Sequence, residues 1–582
     1  MATIAWKIGG DQGEGIDSTG DVVATVASRL GHHVYGYKSF SSRIKGGHTH
    51  YKVCLSDHPL RSAMEETHLL VALTQETIDK NIHELVKGGA IVADEAFSPV
   101  LPDGSDLRLI KVPLSKIARD LGNPVMRNMV AVGATAALLG QDAGAYRDYV
   151  KKKFEPKGPE VVRQNIAAFE EGFAQAQGLM PEGLGFALPP ADGRSRLLLT
   201  GNEAIALGAV AAGCRIMAAY PITPASDVME HLVGLFPQVG GVVCQMEDEL
   251  AAITLVIGAG YGGARAMTAT SGPGFSLMQE GMGLAAMAEV PAVIVDCQRA
   301  GPSTGMPTKN EQSDVMAAIF GGHGEGTRIV LAPGTVEDAF LDMGLAFNLA
   351  EHYQTPVIVA SDLALSEWKA TVDDLPLEAI SIDRGEIVTD EALGDLERGA
   401  FQRYALTPSG ISPRSLPGQP GGQYLATGVE HQPSGKVSED PAIRRAEMEK
   451  RRRKFEPLAL DPAGICYTGP ENPDLVVAVF GSVIGAAQEA VRTLGDEGKA
   501  VGILQVRRLW PFPKEAFAQR VRGAGAVLFV EANATSQLRH LAEIAGVEMG
   551  ERFSLLKYDG TLFTAREVAE RIRDVRVAEE VS

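Results

Sequence analysis

The chain has 582 residues, of which 45% are apolar and 22% charged. This composition is typical of globular proteins and too apolar for a disordered chain, and the length predicts about three or four domains. The formal net charge of −19 at pH 7 disfavours nucleic-acid binding, because proteins that bind DNA or RNA usually carry an excess of basic residues.

Three features bear on compartment and metal binding. The uncharged and largely apolar stretch from Leu250 to Ala264 is shorter than the about 20 apolar residues of a membrane-spanning helix. The N-terminus lacks the basic and apolar regions of a signal peptide, so a cytoplasmic protein that does not associate with membranes is expected. The five cysteines have neither CxxC nor CxH spacing. We therefore expect no metal or iron–sulfur site on this chain and interpret the cysteines as small buried residues.

The first block comprises residues 1–177 and is predicted to be an α/β domain. It opens with a strand at Thr3–Ile8, a glycine-rich turn and a helix, and further strands are predicted at Leu69–Leu73 and Ala90–Asp94. The helix is predicted from the apolar residues along one face, which are Val22, Val23, Val26 and Leu30. Residues 178–194 are rich in proline and glycine and are predicted to form a linker.

The second block, residues 195–368, alternates short apolar strands with helices, which predicts a parallel α/β sheet. Functional groups are then expected in loops at the carboxyl ends of the strands. The predicted strands are Ile216–Ala219, Val242–Gln245, Ala266–Thr270, Ala292–Cys297 and Pro356–Ala360.

The remaining chain divides into an irregular segment, residues 369–460, and a last α/β block, residues 461–582. Within the irregular segment, Thr407–Pro441 is predicted to be an extended arm and Arg444–Lys454 a solvated helix. In the last block, strands are predicted at Leu475–Phe480, Val501–Leu504 and Ala526–Val530.

A glycine-rich loop joins the first predicted strand to the first helix. Gly10, Gly13 and Gly15 surround the helix N-terminus, where backbone amides can hold phosphate. The dinucleotide fingerprint would need a third glycine at the position of Ser18, so nicotinamide binding is disfavoured. The loop is interpreted either as a phosphate site or as a tight turn that needs positive φ angles.

A second glycine-containing loop carries Arg43 and Lys45. Two cations beside flexible backbone suit a phosphorylated ligand. A solvated surface loop is the alternative interpretation, and the spacing of the residues does not decide between the two.

A proline-stiffened loop of Tyr220, Pro221, Ile222, Thr223 and Pro224 follows a predicted strand. Thr223 and Pro224 are predicted to be the N-cap and first-turn residue of the next helix. The loop is interpreted either as a simple helix start or as a rigid segment that holds a substrate.

Three acidic residues, Glu247, Asp248 and Glu249, precede an apolar helix. Acidic residues in a first turn compensate the helix dipole, which is one explanation of the cluster. Glu247 and Glu249 lie about 200° apart around a helix, so only one of them can face the apolar interior. Burial would favour the protonated form of that carboxyl, which could donate a hydrogen bond to a cofactor nitrogen.

Two further loops follow predicted strands. The loop with Ser271 and Gly272 is open enough for a ligand to approach its backbone closely. Arg299 ends the strand before the second loop, where it is well placed to bind a carboxylate through two hydrogen bonds. A surface salt bridge is the alternative role of this arginine.

Together these segments resemble the 2-oxoacid:ferredoxin oxidoreductase family, and most of all its fused gamma–alpha subunits that act on 2-oxoglutarate. The resemblance covers nearly the whole chain. Its motifs are residues 9–22, 42–53, 219–232, 247–253, 265–278, 298–309, 321–325 and 507–513.

The resemblance implies a multi-domain α/β fold. A gamma-like domain would occupy residues 1–177, a pyrimidine-binding domain for thiamine diphosphate residues 195–368, and a transketolase-C-terminal-like α/β domain residues 461–582. It also implies oxidative decarboxylation of a 2-oxoacid, here 2-oxoglutarate, to an acyl-CoA and CO2, or the reverse reductive carboxylation.

The resemblance further implies a beta subunit that shares the thiamine diphosphate and carries Mg²⁺ and a [4Fe–4S] cluster. Coenzyme A (CoA) would be the co-substrate, ferredoxin the electron acceptor, and a dimer of alpha–beta pairs the assembly.

The site residues are assigned by matching positions. Glu249 matches the glutamate that bonds the aminopyrimidine nitrogen of the cofactor, a contact that helps to generate the nucleophile. Thr223 matches a threonine near the reacting carbon, and Arg299 matches the arginine that holds the substrate carboxylate. Tyr220, Pro221, Ile222, Ser271 and Gly272 are expected to line the cofactor cleft. Arg43, Lys45 and Gly13 are candidates for the CoA side, and the role of His323 is left open.

Three alternatives stand beside this assignment. The same chemistry could act on pyruvate, a branched-chain oxoacid or an aryl pyruvate. The chain could be a non-catalytic binding subunit on the same scaffold. A lipoamide-dependent oxoacid dehydrogenase component fits poorly, because of the gamma-like first block.

Overall fold

The structure is a computed structural model that describes residues 3–40, 47–180, 184–397, 399–495, 497–498 and 500–575. The chain forms two compact units. The first, called the N-terminal unit, comprises Met1–Leu199 and Trp368–Asp374. The second, called the C-terminal unit, comprises Thr200–Glu367 and Leu375–Ser582.

The strands of the described residues lie in three sheets. They are β1 Thr3–Asp11, β2 His33–Ser39, β3 His48–Ser56, β4 Thr67–Ala72, β5 Leu85–Asp94, β6 Arg108–Val112, β7 Leu197–Leu199, β8 Ile216–Ala219, β9 Val242–Gln245, β10 Ala266–Thr270, β11 Ala292–Gln298, β12 Ile329–Leu331, β13 Pro356–Asp362, β14 Lys369–Val372, β15 Ile465–Thr468, β16 Leu475–Val479, β17 Val501–Val506, β18 Arg508–Trp510, β19 Ala526–Glu531 and β20 Glu551–Leu556.

The α-helices of the described residues are distributed over both units. They are α1 Ile16–Leu30, α2 Gln75–Asn81, α3 Leu114–Asp120, α4 Arg127–Leu138, α5 Ala143–Phe154, α6 Pro159–Leu179, α7 Gly201–Ala211, α8 Ser226–Leu235, α9 Glu249–Tyr261, α10 Gly272–Leu277, α11 Gln279–Met287, α12 Val315–Phe320, α13 Val336–Tyr353, α14 Leu363–Glu367, α15 Asp390–Gly394, α16 Pro441–Arg453, α17 Glu456–Leu460, α18 Ile484–Gly495, α19 Lys514–Val521, α20 Gln537–Ile544 and α21 Ala565–Asp574.

The N-terminal unit contains an eight-stranded mixed sheet in the order β6-β5-β4-β1-β3-β2-β14-β7. Strands β1, β4, β5 and β6 run parallel, whereas β3 pairs antiparallel with β1 and with β2. The predicted helix after β1 is confirmed as α1, and its apolar face is buried against this sheet. The indole of Trp6 is fully buried in the same core and donates a hydrogen bond of 3.0 Å to Thr135.

The C-terminal unit contains a seven-stranded sheet in the order β18-β12-β13-β11-β10-β8-β9. All of its neighbouring strands are parallel except β18, which pairs antiparallel with β12. The predicted parallel α/β sheet is therefore confirmed, and β8, β9 and β10 begin and end at the predicted residues. A five-stranded sheet in the order β15-β17-β16-β19-β20 lies in the same unit.

The charged segment that ends at Lys454 differs from its prediction as a solvated helix. It forms α16, but Glu447, Lys450 and Arg451 are buried. The reason is a long-range ion pair, because Lys450 Nζ lies 2.7 Å from the carboxylate of the fully buried Glu289. A local charge pattern does not reveal a partner that lies 161 residues away.

Two other findings concern expected burial and membrane-spanning segments. Cys54, Cys214 and Cys297 are buried as predicted, whereas Cys244 is only half-buried. Cys466 is exposed because it lies on β15, which ends the five-stranded sheet. None of the helices in the described part of the chain is both long enough and apolar enough to cross a bilayer.

The predicted division into a first block of residues 1–177, a linker, a second block, an irregular segment and a last block stays a prediction. The structure adds that β7 and β14 lie in the sheet of the N-terminal unit.

Candidate active site

Four loops meet at one edge of the seven-stranded sheet in the C-terminal unit. They follow β8, β9, β10 and β11, which are neighbours in the sheet and parallel to one another. The carboxyl ends of parallel strands share one edge, which is where ligands bind in open α/β sheets. Thr223, Ser271 and Arg299 lie in these loops and Glu249 is the first residue of α9, so the sheet topology brings together the residues that the sequence placed on separate motifs.

The loop after β8 is fixed in place by a hydrogen bond from a buried asparagine. Asn202 donates a hydrogen bond of 2.8 Å to the carbonyl of Pro224, and the Cys297 thiol lies 3.6 Å from the amide oxygen of Asn202. Tyr220 stands at the loop's start with 43% of its surface exposed. The predicted N-cap role of Thr223 is wrong, because α8 begins only at Ser226.

The remaining members of this loop, Pro221, Ile222 and Thr223, are half-buried. Instead of capping a helix, Thr223 accepts a hydrogen bond on its backbone carbonyl from the guanidinium of Arg299. The prolines keep the loop out of helical conformation for two residues longer than the sequence pattern suggested.

The three acidic residues before α9 have three different environments. Asp248 is the N-cap and accepts a hydrogen bond of 2.7 Å from the backbone amide of Ala251. Glu247 is exposed, whereas Glu249 is only 6% exposed. The prediction that one of the two glutamates faces inward is therefore confirmed, and it is Glu249. Helix capping accounts for Asp248 and leaves Glu249 unexplained.

The carboxyl group of Glu249 packs tightly against the start of α10. A Cβ atom added at Gly274 would overlap both Glu249 Oε1 and Thr270 Oγ1. Glycine at this position therefore lets the buried carboxyl approach the backbone of the loop after β10.

Arg299 is 7% exposed and spans the loops after β11 and β8. Its Nη1 donates a hydrogen bond of 2.7 Å to the carbonyl oxygen of Thr223, while its buried Nε has no partner among the described residues. Burial lowers the pKa of the guanidinium and Asp314 opposes that effect. A surface salt bridge, the alternative role, is not what this side chain makes in the described part of the chain.

Several polar atoms at this edge are buried and lack a hydrogen-bond partner among the described residues, an arrangement that is rare in folded proteins and needs an explanation. They are Thr268 Oγ1, Ser271 Oγ, Asp296 Oδ1, Asp296 Oδ2, Asp314 Oδ2 and Arg299 Nε. Such a set is expected where a polar ligand completes the hydrogen bonding.

Sequence reasoning missed the two aspartates of this set, Asp296 and Asp314. One signal was available for Asp296, since it is a lone carboxyl in the otherwise uncharged strand β11. No local signal marks Asp314. Gly272, which was predicted to line the cleft, lies directly beneath Asp314, since an added Cβ would lie 2.8 Å from Asp314 Oδ2.

The N-terminal unit contains a separate cavity of about 630 Å³ beside the glycine-rich loop. Gly13 and Gly15 line it and have positive φ angles of 96° and 78°, so the tight turn is confirmed. The cavity is also lined by Asn128, Lys153 and Lys157. Space around Gly13 is open, because an added Cβ would meet no atom within 4 Å.

Three other predicted features can be located only in part. Arg43 and Lys45 lie outside the described residues. His323 is exposed and its role stays open. The described residues contain no group of three or more His, Cys, Asp and Glu side chains arranged to hold a metal ion.

Comparison with known families assigns successive parts of the chain. Residues 5–175 match the family described as pyruvate ferredoxin/flavodoxin oxidoreductase. Residues 207–450 match the thiamine diphosphate-binding domain of pyruvate flavodoxin/ferredoxin oxidoreductase, and residues 473–562 match core domain II of pyruvate:ferredoxin oxidoreductase. The fold and the site thus define an oxidoreductase subunit with a thiamine-diphosphate-binding domain.

Relatives match over nearly the whole length. The 2-oxoacid:ferredoxin oxidoreductase 2 subunit alpha of Aeropyrum pernix is 32% identical over 99% of this chain and 98% of its own. The 2-oxoglutarate oxidoreductase subunit KorA of Mycobacterium tuberculosis is 28% identical over 98% and 91%. The solved 2-oxoglutarate:ferredoxin oxidoreductase of Magnetococcus marinus is 34% identical over 99% of both chains, with a TM-score of 0.92. This chain belongs to the 2-oxoacid:ferredoxin oxidoreductase family, as an alpha subunit.

Proposed function

We propose that this chain is the alpha subunit of a 2-oxoglutarate:ferredoxin oxidoreductase. The enzyme would convert 2-oxoglutarate and CoA to succinyl-CoA and CO2 and pass two electrons to ferredoxin, or run the reverse reductive carboxylation. The observation that carries the proposal is the meeting of Glu249, Thr223 and Arg299 at one edge of the sheet. The choice of 2-oxoglutarate is supported by the Magnetococcus marinus structure, which has 2-oxoglutarate, CoA and succinyl-CoA bound.

The residues around Glu249 fit thiamine diphosphate. The carboxyl of Glu249 is buried and sits against Gly274, and the neighbouring Ser271 Oγ is buried without a partner in the described structure. When bound, this cofactor supplies the carbon nucleophile that attacks the keto group of a 2-oxoacid. Glu249 would hold the pyrimidine half through a hydrogen bond, and Tyr220, Pro221, Ile222, Ser271 and Gly272 would line its cleft.

Arg299 is suited to hold the substrate carboxylate. Its guanidinium is anchored to the Thr223 carbonyl through Nη1 and makes no ion pair with the described residues, so its positive charge is available to an anion. A planar guanidinium in a nearly water-free site binds a carboxylate through two hydrogen bonds and fixes its orientation. Thr223 would then lie close to the keto carbon, because Arg299 is bonded to its backbone.

The cavity beside Gly13 in the N-terminal unit is our proposed site for the nucleotide part of CoA. Lys153 and Lys157 supply positive charge, and Gly13 and Gly15 let phosphate approach the backbone at the start of α1. Arg43 and Lys45 remain candidates for the same ligand.

This site predicts a selective effect on CoA. Replacing both Lys153 and Lys157 with methionine should raise the KM for CoA about tenfold while leaving the KM for the 2-oxoacid unchanged. Lys152→Met, an exposed neighbour on α5, is the matched control. Equal KM values for CoA in the double variant and the control would refute the assignment.

The proposed assembly rests on the family resemblance. A beta subunit would share thiamine diphosphate, carry Mg²⁺ and the [4Fe–4S] cluster, and deliver electrons to ferredoxin. Two alpha–beta pairs would form the complete enzyme.

The test is an assay of the purified alpha–beta complex with a low-potential dye as the electron acceptor. We expect dye reduction that requires CoA, is fast with 2-oxoglutarate and slow with pyruvate. Fast reduction with pyruvate, a branched-chain oxoacid or an aryl pyruvate would support the proposed reaction type but contradict the assignment of 2-oxoglutarate as the substrate. No reduction with any 2-oxoacid, by a complex that contains iron and thiamine diphosphate, would indicate a non-catalytic binding subunit.

A further inference from the structure

Asp296 places a carboxyl group inside the sheet of the C-terminal unit. The residue is fully buried in β11, and neither of its oxygens has a hydrogen-bond partner among the described residues. In register it pairs with Thr270 on β10, so the two side chains point to the same face of the sheet. Thr270 Oγ1 in turn faces the carboxyl of Glu249 across Gly274. Asp296 therefore belongs to the polar edge that carries the candidate site.

Asp314 approaches the same edge from the segment before α12. Its Oδ2 is buried without a partner in the described structure and lies above Gly272. Its backbone amide donates a hydrogen bond of 3.0 Å to Gln298 Oε1. Two residues earlier, the amide of Gln312 donates a bond of 2.7 Å to the carbonyl of Ala532. The segment is therefore braced on both sides, which fixes where the Asp314 carboxyl lies.

Burial makes the charged form of both aspartates costly. It raises the pKa of Asp314 to about 6, with Glu311 adding to the effect and Arg299 opposing it. Burial also raises the pKa of Asp296 well above its usual range, and the charge of Asp314 adds to that effect. The charged and titratable groups that act on the pair are thus Arg299 after β11 and Glu311 beside Asp314, with Glu249 on α9 at the same edge.

We propose that Asp296 and Asp314 are positioning residues that retain a proton next to Arg299, and that this proton controls how strongly Arg299 binds the carboxylate of the 2-oxoacid. The inference rests on the proposed function, because it assumes that Arg299 binds this carboxylate. With Asp314 protonated, the positive charge of Arg299 is available to substrate. With Asp314 ionised, its negative charge competes with the substrate carboxylate and weakens substrate binding, so binding is accompanied by uptake of a fraction of a proton from solvent.

The direction of the pH dependence follows from this linkage. Substrate binds better to the protonated pair, so the KM for the 2-oxoacid should rise as the pH increases through about 6. In the wild-type complex we expect a rise of about fivefold between about pH 5.5 and about pH 7.5, with a smaller change in kcat. The 2-oxoacid itself stays ionised over this range and does not contribute.

The decisive variant is Asp314→Asn, which keeps the shape of the side chain and removes its titration. In the alpha–beta complex it should make the KM for the 2-oxoacid constant within about twofold over the same pH range. Glu311→Gln is the matched control. It should keep the pH dependence with its midpoint moved to lower pH, because Glu311 raises the pKa of Asp314. A purely structural role of Asp314 would not flatten the profile.

Infrared spectroscopy provides a second readout that does not need turnover. The wild-type complex should show a protonated-carboxyl band that titrates near pH 6 and is missing in Asp314→Asn. A wild-type KM that is independent of pH, an unchanged profile in Asp314→Asn or the absence of this band would each overturn the inference. If Asp314→Asn fails to assemble, the same comparison with Asp296→Asn decides. Failure of the proposed function is distinguishable, because the complex would then turn over no 2-oxoacid at any pH.

Discussion

Two groups of buried charges in the C-terminal unit differ in how completely they are paired. At the candidate site, Asp296 and Asp314 have unpartnered oxygens and Arg299 has an unpartnered nitrogen among the described residues. Beside α16, by contrast, the carboxylate of Glu289 is paired with two lysines. Its Oε1 lies 2.7 Å from Lys450 Nζ and its Oε2 lies 3.3 Å from Lys454 Nζ.

A second paired cluster surrounds Glu351, which is almost fully buried. Arg265 and Arg384 each place Nε 2.8 Å from its Oε2, and Nη2 of Arg414 lies 3.3 Å from its Oε1. Arg384 and Arg414 belong to the irregular segment, so this cluster fixes that segment to the remainder of the unit. Removing one partner from such a cluster leaves an uncompensated buried charge, which is costly.

The comparison separates structure from function in physical terms. Although burial alone would raise its pKa, the neighbouring Lys454, Lys450 and Arg403 hold the pKa of Glu289 below its usual range. At Asp314, by contrast, burial prevails over the attraction of Arg299 and the pKa rises. Removing one partner from a paired buried charge destabilises the fold, whereas unpaired buried charges are tolerated where a ligand completes them.

The largest expected effect on stability is in the paired group. Glu289→Gln should lower the free energy of unfolding by about 3–5 kcal/mol, because the buried Lys454 loses its carboxylate partner and the buried Lys450 keeps only Glu447, at 3.4 Å. The measurement is denaturant unfolding of the purified complex. Glu449→Ala, at an exposed position of α16, the helix that carries Lys450, is the control and should change stability by less than about 0.5 kcal/mol. Equal stability of the two variants would contradict the claim that the paired charges around Glu289 hold the fold together.

Arg299→Lys should reduce kcat/KM for 2-oxoglutarate by about 30-fold or more, equivalent to about 2 kcal/mol, with little change in thermal stability. Lysine keeps the charge but lacks the planar guanidinium, which can donate hydrogen bonds to the Thr223 carbonyl and to a substrate carboxylate at the same time. The control is Arg384→Lys in the paired cluster, for which steady-state kinetics should match the wild type. A larger kinetic loss in the control than in Arg299→Lys would contradict the assignment.

Gly274→Ala should have the smallest of these effects, about a tenfold loss of kcat or of thiamine diphosphate retention. The added methyl group would overlap Glu249 Oε1 and Thr270 Oγ1 and displace the buried carboxyl. Gly283→Ala on α11 is the control, because an added Cβ there meets no atom within 4 Å. Unchanged turnover in Gly274→Ala would show that the position of Glu249 is not critical.

Local patterns predicted the part of the fold on which the site is built. The predicted bounds of β8, β9 and β10 match the structure because short apolar strands between helices are a strong local signal. The expectation that only one of Glu247 and Glu249 is buried is correct, but its helical reasoning does not apply, because α9 begins at Glu249 and Glu247 precedes the helix. The candidate residues therefore lie, as expected, at the carboxyl ends of these strands.

What the sequence did not predict depends on long-range contacts. The burial of Lys450 follows from Glu289, and the position of Asp314 follows from hydrogen bonds such as that between Gln312 and Ala532. Thr223 was predicted to cap a helix because its residue type is common there, yet its carbonyl binds Arg299. None of these pairings is encoded in a local pattern of residues.

The most direct test of the central claim compares two neighbouring glutamates in the alpha–beta complex. Glu249→Gln should lower kcat for CoA-dependent oxidation of 2-oxoglutarate by about 100-fold or more, whereas Glu247→Gln should stay within about twofold of the wild type. The exposed Glu247 controls for the loss of one charge beside α9. Wild-type turnover in Glu249→Gln would contradict the assignment of the buried carboxyl as the group that holds the cofactor.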